Sequence, residues 1–430
     1  MKILIRFIFV SLCLGFTIFA DEIIDENTLF GSTANTMVES KNIQDSSLNE
    51  FYNKESVNFS GSFSSKGSYY LNRKWLENGG GSFADNRMVN YFDTNLLLDV
   101  RLKKNFKTFL NLQVSNIAQQ NTSLIATSNL AYSIKELFMD MNINRAVYIR
   151  SGKQVLQWGR TYFWNPTDVL NIQKKNFLNL AQYREGTYGI KIHVPNGAGQ
   201  NTYMFLDFNN ANNIDDVGLA AKYEFLLNNT EYAFSAWKKK GFIPLFGFDF
   251  SSRLEGIDVL GEMTMSYGDD QTKVRNVNGT AQLYKIGNAW VPKISLGLSK
   301  SFSWIYADQI TLISEFFYND SGYTENVFKD SVAFTSLIAN NLYVPNYHSK
   351  YYMAVFGTIA KYPFSDSSVN CNYISNLCDS SSILSTGISY SPVNNFTLQV
   401  NVNSFIGPEL AEYTFSGYRL SFDVFATMLF

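Results

Sequence analysis

The feature that most constrains the fold of this chain is an alternation of apolar and polar residues with a period of two. Residues 394–405 read NNFTLQVNVNSF, so that Phe396 and Leu398 alternate with Thr397 and Gln399. Successive side chains of a β-strand point to opposite faces of a sheet, whereas an amphipathic helix requires a period near 3.6. The pattern therefore predicts strands that have one apolar face and one polar face.

The amino-terminal residues indicate an exported protein. Residues 1–20 contain Lys2 and Arg6, followed by an uncharged apolar run that ends at Ala20 before an acidic stretch. This is the layout of a secretory signal peptide, and we predict cleavage after Ala20. No later segment has the roughly 18 consecutive apolar residues of a membrane-spanning helix, so the sequence predicts none.

Composition narrows the fold to a large β-protein. The chain contains 36 Phe and 26 Tyr but only 8 Pro, and its formal net charge is −2. This balance of charge gives no basis for binding nucleic acid. An exported chain of this kind is either a soluble β-protein or a membrane barrel, in which about 10 alternating residues suffice for each crossing.

The spacing of the turns favours the membrane barrel. Between residues 56 and 430, alternation and turn clusters define about 18 strands, with about 16 as the alternative. Short connections such as 103–105 and 195–199 alternate with longer ones such as 157–184 and 319–349. Short turns at one end and long loops at the other are typical of outer-membrane barrels. The sequence therefore predicts an all-β fold, a transmembrane antiparallel β-barrel over residues 56–430, with short periplasmic turns and long extracellular loops.

The carboxyl-terminal strand carries a resemblance to a known class of proteins. Tyr418, Leu420 and Phe422 alternate toward an aromatic last residue, Phe430. The pattern resembles the carboxyl-terminal assembly signal of Gram-negative outer-membrane proteins, and the chain resembles the porin-like barrels among them. This resemblance implies a location in the bacterial outer membrane, contact with its lipid and lipopolysaccharide, and recognition of Phe430 by the barrel-assembly machinery. Residues 21–55, which are acidic and polar, are then expected to form a periplasmic extension.

A barrel of this size encloses an aqueous lumen, and alternation nominates the charged residues that face it. An Arg or Lys on the lipid face near the membrane midplane costs about 2–4 kcal/mol, so we assign charged residues opposite each apolar set to the lumen. The pore-lining candidates are Asp99, Arg101, Glu136, Asp140, Arg150, Lys191, Asp258, Glu262, Glu315, Arg419 and Asp423. Arg101, Arg150 and Lys191 come from nearby strands. They form either a basic stripe that favours anions or an ordinary solvated wall.

The third outer loop is the candidate constriction. It follows GKQVLQWGR (152–160), and the apolar residues of 168–183 are spaced as in a short helix. In porins the third outer loop folds inward and narrows the pore, so the resemblance implies the same for this loop. The constriction candidates are Asp168, Lys174, Lys175 and Arg184. The three basic side chains would face the acidic one across the opening; the alternative is a loop that packs on the outer rim.

Few other residues suggest chemistry. Cys371 and Cys378 are close enough in sequence to form a disulfide at the rim of one hairpin, or they remain free. No metal-binding or nucleophile motif is present, so we expect no cofactor and no enzyme activity. His348 adjoins Ser349, but neighbouring residues on an extended chain are expected to point in opposite directions.

Three functions remain open at this point. The polar inward faces favour a channel for small hydrophilic solutes, with selectivity set by the lumen charges and the third loop. The alternative is a surface-binding barrel, an adhesin or receptor with a closed lumen, whose loop aromatics Tyr323, Phe328, Tyr343 and Tyr347 hold the partner. Uptake of apolar solutes would require an apolar inner wall, which the polar content of these faces disfavours. The oligomeric state stays open.

Overall fold

The computed structural model describes residues 56–73, 86–102, 106–120, 127–172, 174, 183–197 and 199–430. The predicted signal peptide, 1–20, and the whole of the region before the barrel, 21–55, lie outside the described residues. The described strands are β1 (Ser56–Asn72), β2 (Arg87–Leu102), β3 (Phe106–Gln120), β4 (Thr127–Ile143), β5 (Val147–Gln154), β6 (Thr187–Pro195), β7 (Gln200–Asp207), β8 (Gly218–Leu227), β9 (Thr230–Lys238), β10 (Leu245–Leu254), β11 (Ile257–Tyr267), β12 (Lys273–Val277), β13 (Thr280–Tyr284), β14 (Trp290–Trp304), β15 (Ala307–Asn319), β16 (Tyr351–Ala360), β17 (Ser367–Asn376), β18 (Ser381–Val393), β19 (Phe396–Ile406) and β20 (Tyr418–Leu429). A helix, α1, spans Ser331–Ala339.

The barrel strands form one closed antiparallel sheet. It has 18 strands, all except the separate hairpin of β12 and β13, and β1 pairs with both β2 and β20. At the closure, the Gly61 amide donates to the Phe430 carbonyl at 2.8 Å, and the Phe430 amide donates to the Gly61 carbonyl at 3.0 Å. A Cβ at residue 61 would lie 2.4 Å from the Phe430 ring and 2.6 Å from the Asn95 carbonyl oxygen, so the close approach at the closure favours glycine there. The predicted fold is confirmed, and the alternative of about 16 strands is excluded.

The two ends of the barrel differ in the length of their connections. Residues 255–256 join β10 to β11, and Glu255 and Gly256 both have positive φ, 50° and 74°. Two successive residues with positive φ match the twist of a tight hairpin. The opposite end carries 155–186 and 320–350 among its connections. We call these the turn end and the loop end.

The outer face of the barrel is apolar and most of the inner face is polar, apart from a buried apolar patch on β15 and β16. In β14, Leu296 and Leu298 are 50% and 49% exposed on the outer face, whereas Ser295 and Ser299 are 0% and 2% exposed on the inner face. In water this arrangement would expose a wide apolar surface to solvent, which soluble proteins avoid. It is the arrangement of a wall that faces lipid.

The loop end carries a small packed unit, the outer cap, made of 268–289, 320–350 and 407–417. Its core residues are Val274, Val327, Phe328, Ala333 and Leu337. Asp330 precedes helix α1, and its carboxylate accepts the backbone N–H groups of Val332 and Ala333 at 3.0 and 3.1 Å. This is an ordinary N-terminal cap. Within the described ranges no helix is both long and apolar enough to cross a membrane.

Candidate functional site: a lumen crossed by one loop

The connection between β5 and β6, residues 155–186, is called the crossing loop, because its described part, 155–172, 174 and 183–186, lies inside the barrel and reaches the opposite wall. β16 is the ninth barrel strand from β5, so it lies diametrically opposite in a sheet of 18. The Phe163 ring lies 4.2 Å from the ring of Phe356 on β16, and the Trp164 ring stacks at 5.7 Å on Phe317 of β15. Both loop residues are 0% exposed. The loop therefore folds inward, as the resemblance implied, and does not pack on the rim.

Glu315 fixes the tip of the crossing loop to the wall. Its carboxylate accepts the backbone N–H groups of Tyr162, Phe163 and Trp164 at 2.8, 3.0 and 2.7 Å. The Ser295 hydroxyl donates a fourth hydrogen bond at 2.7 Å. A carboxylate that receives several donors in a dry site is strongly bound to them. Glu315 thus supplies the hydrogen-bond acceptor that backbone carbonyls would supply to these amides in a strand or helix.

Glu262 does the same for the flanking residues. It accepts the Thr161 backbone N–H at 2.6 Å, the Asn165 side-chain amide at 2.8 Å and the Thr167 hydroxyl at 2.7 Å. A Cβ at residue 159 would lie 2.5 Å from this carboxylate, so the Gly159 of the WGR motif permits the approach. The sequence predicted Glu262 and Glu315 as pore-lining charges. Both do point inward, but each is only 2% exposed because the loop covers it.

Arg160 ties the crossing loop to a third part of the wall. Its guanidinium donates to Asp249 on β10 at 2.6 Å and to Glu224 on β8 at 3.2 Å, and it also pairs with Glu231. Lys222 donates to the Trp158 carbonyl at 2.6 Å and lies 3.2 Å from Asp249. The two buried charges, Lys222 and Asp249, therefore have partners of opposite charge, as buried charges require. This network was not predicted from the sequence, although alternation in β8 and β10 could have placed Lys222 and Asp249 on the inner face.

The inner faces of β2 to β6, which we call the charged arc, carry several of the pore-lining candidates opposite the apolar outer set. Asp99 pairs with Arg101 at 3.2 Å and with Lys107 at 3.0 Å. Asp140 pairs with Arg150 at 2.6 Å. These five side chains remain 19–31% exposed, so they face solvent inside the barrel.

The other pore candidates extend the charged arc, serve the loops or form separate ion pairs. Lys191 is the register partner of Arg150, which sets two cations side by side on adjacent strands. Glu136 accepts the Val155 amide at 2.9 Å, where the crossing loop begins. Arg419 donates to the carbonyl of Gly407 at 3.0 Å at the loop end. The remaining pairs are Lys66–Asp423 at 3.3 Å and Arg253–Asp258 at 3.7 Å.

The constriction candidates are arranged differently from the prediction. Asp168 is 3% exposed and pairs with Arg184 at 3.1 Å, so these two residues hold the loop to itself and do not oppose each other across an opening. Lys174 donates to the Asp168 carbonyl, and burial lowers the pKa of its ammonium while Asp168 opposes that shift. Lys175 lies outside the described residues. Residues 168–172, the described beginning of the predicted helix, are irregular.

Two smaller points concern the cysteines and His348. The sequence left a disulfide or two free thiols open for Cys371 and Cys378, and both are free thiols: Cys371 lies within β17, and Cys378 lies beyond its end in the following connection. The Ser349 hydroxyl and His348 Nε2 do not point apart, since they lie 3.3 Å from each other. Both residues are buried in the cap region, where burial lowers the pKa of His348 to about 3. Such a buried pair is not accessible as a nucleophile and base.

Comparison with known proteins gives a fold and no close relative. No family model matches the sequence, and no curated protein matches it. Among solved structures, the chain is similar to OccAB1 of Acinetobacter baumannii, with TM-score 0.51, 10% identity and coverage of 87% of this chain and 96% of that chain. It is also similar to two chains of Pseudomonas aeruginosa, OccK8 (OprE), with TM-score 0.52 and 7% identity, and OccK9 (OpdG), with TM-score 0.51 and 8% identity. For both, the match covers 87% of this chain and 98% of the other. At these identities the likeness shows a shared barrel fold.

Proposed function

We propose that this chain is an outer-membrane channel of the porin type, through which small hydrophilic solutes cross the membrane. The observation that carries this proposal is the division of the lumen. The crossing loop is fixed to one side of the wall by Glu262 and Glu315, while the charged arc keeps its side chains in contact with solvent. The structural neighbours are outer-membrane porins, which supports the same class.

The surroundings of the barrel belong to the same proposal. The apolar outer wall suits outer-membrane lipid and lipopolysaccharide. The alternation that ends at Phe430 would act as the signal that the barrel-assembly machinery recognises. Residues 1–20 would direct export, and residues 21–55 would lie on the periplasmic side.

The packing of the loop aromatics favours a channel over an adhesin or receptor. Phe328 is 1% exposed, and its ring contacts those of Tyr343 at 5.6 Å and His348 at 5.0 Å. Tyr323 and Tyr347 are also packed against buried neighbours. These side chains stabilise the cap and the crossing loop, so they are not presented to a protein partner.

The covering of the apolar inner patch disfavours uptake of apolar solutes. Ile313, Phe317 and Phe356 point inward, but Tyr162, Phe163 and Trp164 of the crossing loop belong to the same buried cluster. An apolar solute would have to displace this cluster to reach the wall. We propose no enzyme activity for the chain.

The decisive experiment is single-channel recording of the refolded mature chain, residues 21–430, in a planar lipid bilayer. The proposal predicts stable stepwise openings that carry ions and are reduced by larger hydrophilic solutes. A barrel that inserts, as judged by protease protection, but carries no current would overturn it and would favour the binding barrel.

A further inference from the structure

Glu412, in the outer cap, is a buried carboxylate whose hydrogen-bond donors are neutral. It is 2% exposed. It accepts the Asn346 backbone N–H at 2.7 Å, the Tyr352 hydroxyl at 2.9 Å and the Asn376 side-chain amide at 2.8 Å, with the Tyr343 hydroxyl at 3.4 Å. These donors come from 320–350 and from strands β16 and β17. A carboxylate placed in such a site normally needs a cation beside it, so its position calls for an explanation.

The residues that Glu412 holds are those that hold the tip of the crossing loop. Asn346 donates its amide to Glu412 and accepts, at its carbonyl, the indole N–H of Trp164 at 2.8 Å. Tyr352 donates its hydroxyl to Glu412, and its ring lies 5.9 Å from the Trp164 ring. Asn346 has a φ of 64°, a left-handed conformation that asparagine adopts more readily than most residues. A single residue therefore joins the carboxylate of the cap to the indole of the loop.

We propose that Glu412 is a positioning residue for the constriction: it holds the tip of the crossing loop through Asn346 and Tyr352, and protons on the loop-end side of the membrane set how firmly it does so. This inference rests on the proposed channel function. It adds one residue outside the lumen, through which the pH on the loop-end side affects the width of the constriction.

The charges around Glu412 account for its response to protons. Burial raises the pKa of Glu412 to about 7; the nearby Asp379 carboxylate adds to this shift, and the hydrogen bonds from Asn346, Tyr352 and Asn376 oppose it. Asp379, in the connection after β17, accepts the Glu412 backbone N–H at 2.7 Å. The other titratable groups that face Glu412 are phenols. Tyr343 comes from 320–350, Tyr352 from β16 and Tyr413 from the same loop as Glu412.

The sign of the effect follows from the direction of the shift. Between the ordinary glutamate pKa of about 4.3 and the raised value, the docked cap keeps a proton that a released cap would lose. Acid therefore favours the docked state, and docking weakens as the pH rises through this range. Each pH unit inside the range changes the docked-to-released ratio by up to about tenfold. The constriction is expected to be held firmly at pH 5 and loosely at pH 8.

The first test is bilayer recording with the pH changed on one side at a time. In the wild type, raising the pH on the loop-end side from 5 to 8 should increase the frequency of transitions to a larger conductance, by tenfold or more on the scale above. The same change at the turn end should do nothing. Glu412→Gln should remain in the acid-like state at both values. Glu409→Gln is the matched control, since Glu409 lies on the same loop with a 73% exposed side chain that pairs with Arg73.

Amide hydrogen exchange in the same full-length chain tests the coupling without any current. After correction for intrinsic rates, protection of residues 160–168 should fall from pH 5 to pH 8 in the wild type and in Glu409→Gln, but stay constant in Glu412→Gln. A pH-dependent loss of protection in Glu412→Gln, or none in the wild type, would overturn the inference. A silent barrel with the expected exchange pattern would instead remove only the channel function.

Tyr352→Phe covers the case in which Glu412→Gln does not fold. This variant keeps the ring that packs on Trp164 but removes one donor to the carboxylate. Loss of a donor disfavours the charged form, so the pH at which protection falls should move upward. An unchanged midpoint would show that the hydroxyl does not link the two elements.

Discussion

Glu315 and Asp140 have the same chemistry and the same inward direction, yet they lie in contrasting parts of the wall. Glu315 belongs to the inner faces of β11, β14, β15 and β16, which we call the packed arc, and it is 2% exposed beneath backbone amides of the crossing loop. Asp140 belongs to the charged arc, where its side chain is 28% exposed beside Arg150. The difference shows that the role of an inward carboxylate depends on the crossing loop. Where the loop reaches the carboxylate, it anchors the loop; where the loop does not, it forms an ion pair in contact with solvent.

The two arcs should also differ in how firmly their contacts stabilise the protein. Buried hydrogen bonds to a charged group contribute about 1.5–3 kcal/mol each, because the dry site weakens them little. Ion pairs in contact with solvent contribute about 0–1 kcal/mol. Substitutions in the packed arc should therefore alter the structure of the lumen. Substitutions in the charged arc should alter the electrostatic potential inside it.

The largest effect is expected for Glu315→Ala. Three buried backbone amides would lose their acceptor, and each costs about 1–3 kcal/mol if it stays unpaired, so the tip of the crossing loop should leave the wall. We expect a higher single-channel conductance and a lower free energy of unfolding in urea. Asp140→Ala is the counterpart in the charged arc, and should change the free energy of unfolding by about 1 kcal/mol or less. Equal effects of the two substitutions would abolish the distinction between the arcs.

An intermediate effect is expected for Trp164→Ala. The indole is 0% exposed between Phe317 and Tyr352, and loss of a buried Trp typically costs about 3–5 kcal/mol. Tyr148→Ala is the control, since Tyr148 is a partly exposed aromatic in the charged arc, stacked on His193 at 5.7 Å. The temperature at which the folded band disappears in gel-shift assays should fall clearly for the first variant and little for the second. The reverse order would mean that the loop tip does not stabilise the barrel.

The smallest structural effect, with a distinct electrical one, is expected for Arg150→Gln and Lys191→Gln. These substitutions should shift the reversal potential in a salt gradient toward cation selectivity, since each removes a positive charge that faces the lumen. Stability should change by about 1 kcal/mol or less. Lys240→Gln removes the same charge from a 63% exposed side chain at the loop end and should leave the reversal potential nearly unchanged. No difference among the three variants would place the ion path elsewhere.

The strands could be predicted from the sequence because their signal is local. Alternation in residues such as Val400 and Asn401 records the two faces of one strand, and tight turns such as Glu255–Gly256 record the spacing between strands. The paired charges of the charged arc were predictable for the same reason. Each lies opposite an apolar neighbour that must face lipid.

The packed arc could not be predicted in the same way. In the sequence, Glu315 in SEFF and Glu262 in GEMT look no different from other inward carboxylates. Their role depends on Thr161 to Thr167, which lie about a hundred residues or more away in the chain. One local feature is related to the docking: Gly159 in WGR leaves room for the Glu262 carboxylate to approach the loop.

The crossing loop also acts as an internal strut. It is joined covalently to the wall at β5 and β6 and docked, through Glu315 and the aromatic cluster around Trp164, on strands up to half a circumference away. A hollow cylinder without such a connection can flatten into an ellipse under lateral pressure, because bending its wall disturbs few contacts. A strut across the diameter sets the distance between opposite walls. The element that narrows this barrel would therefore also keep it round.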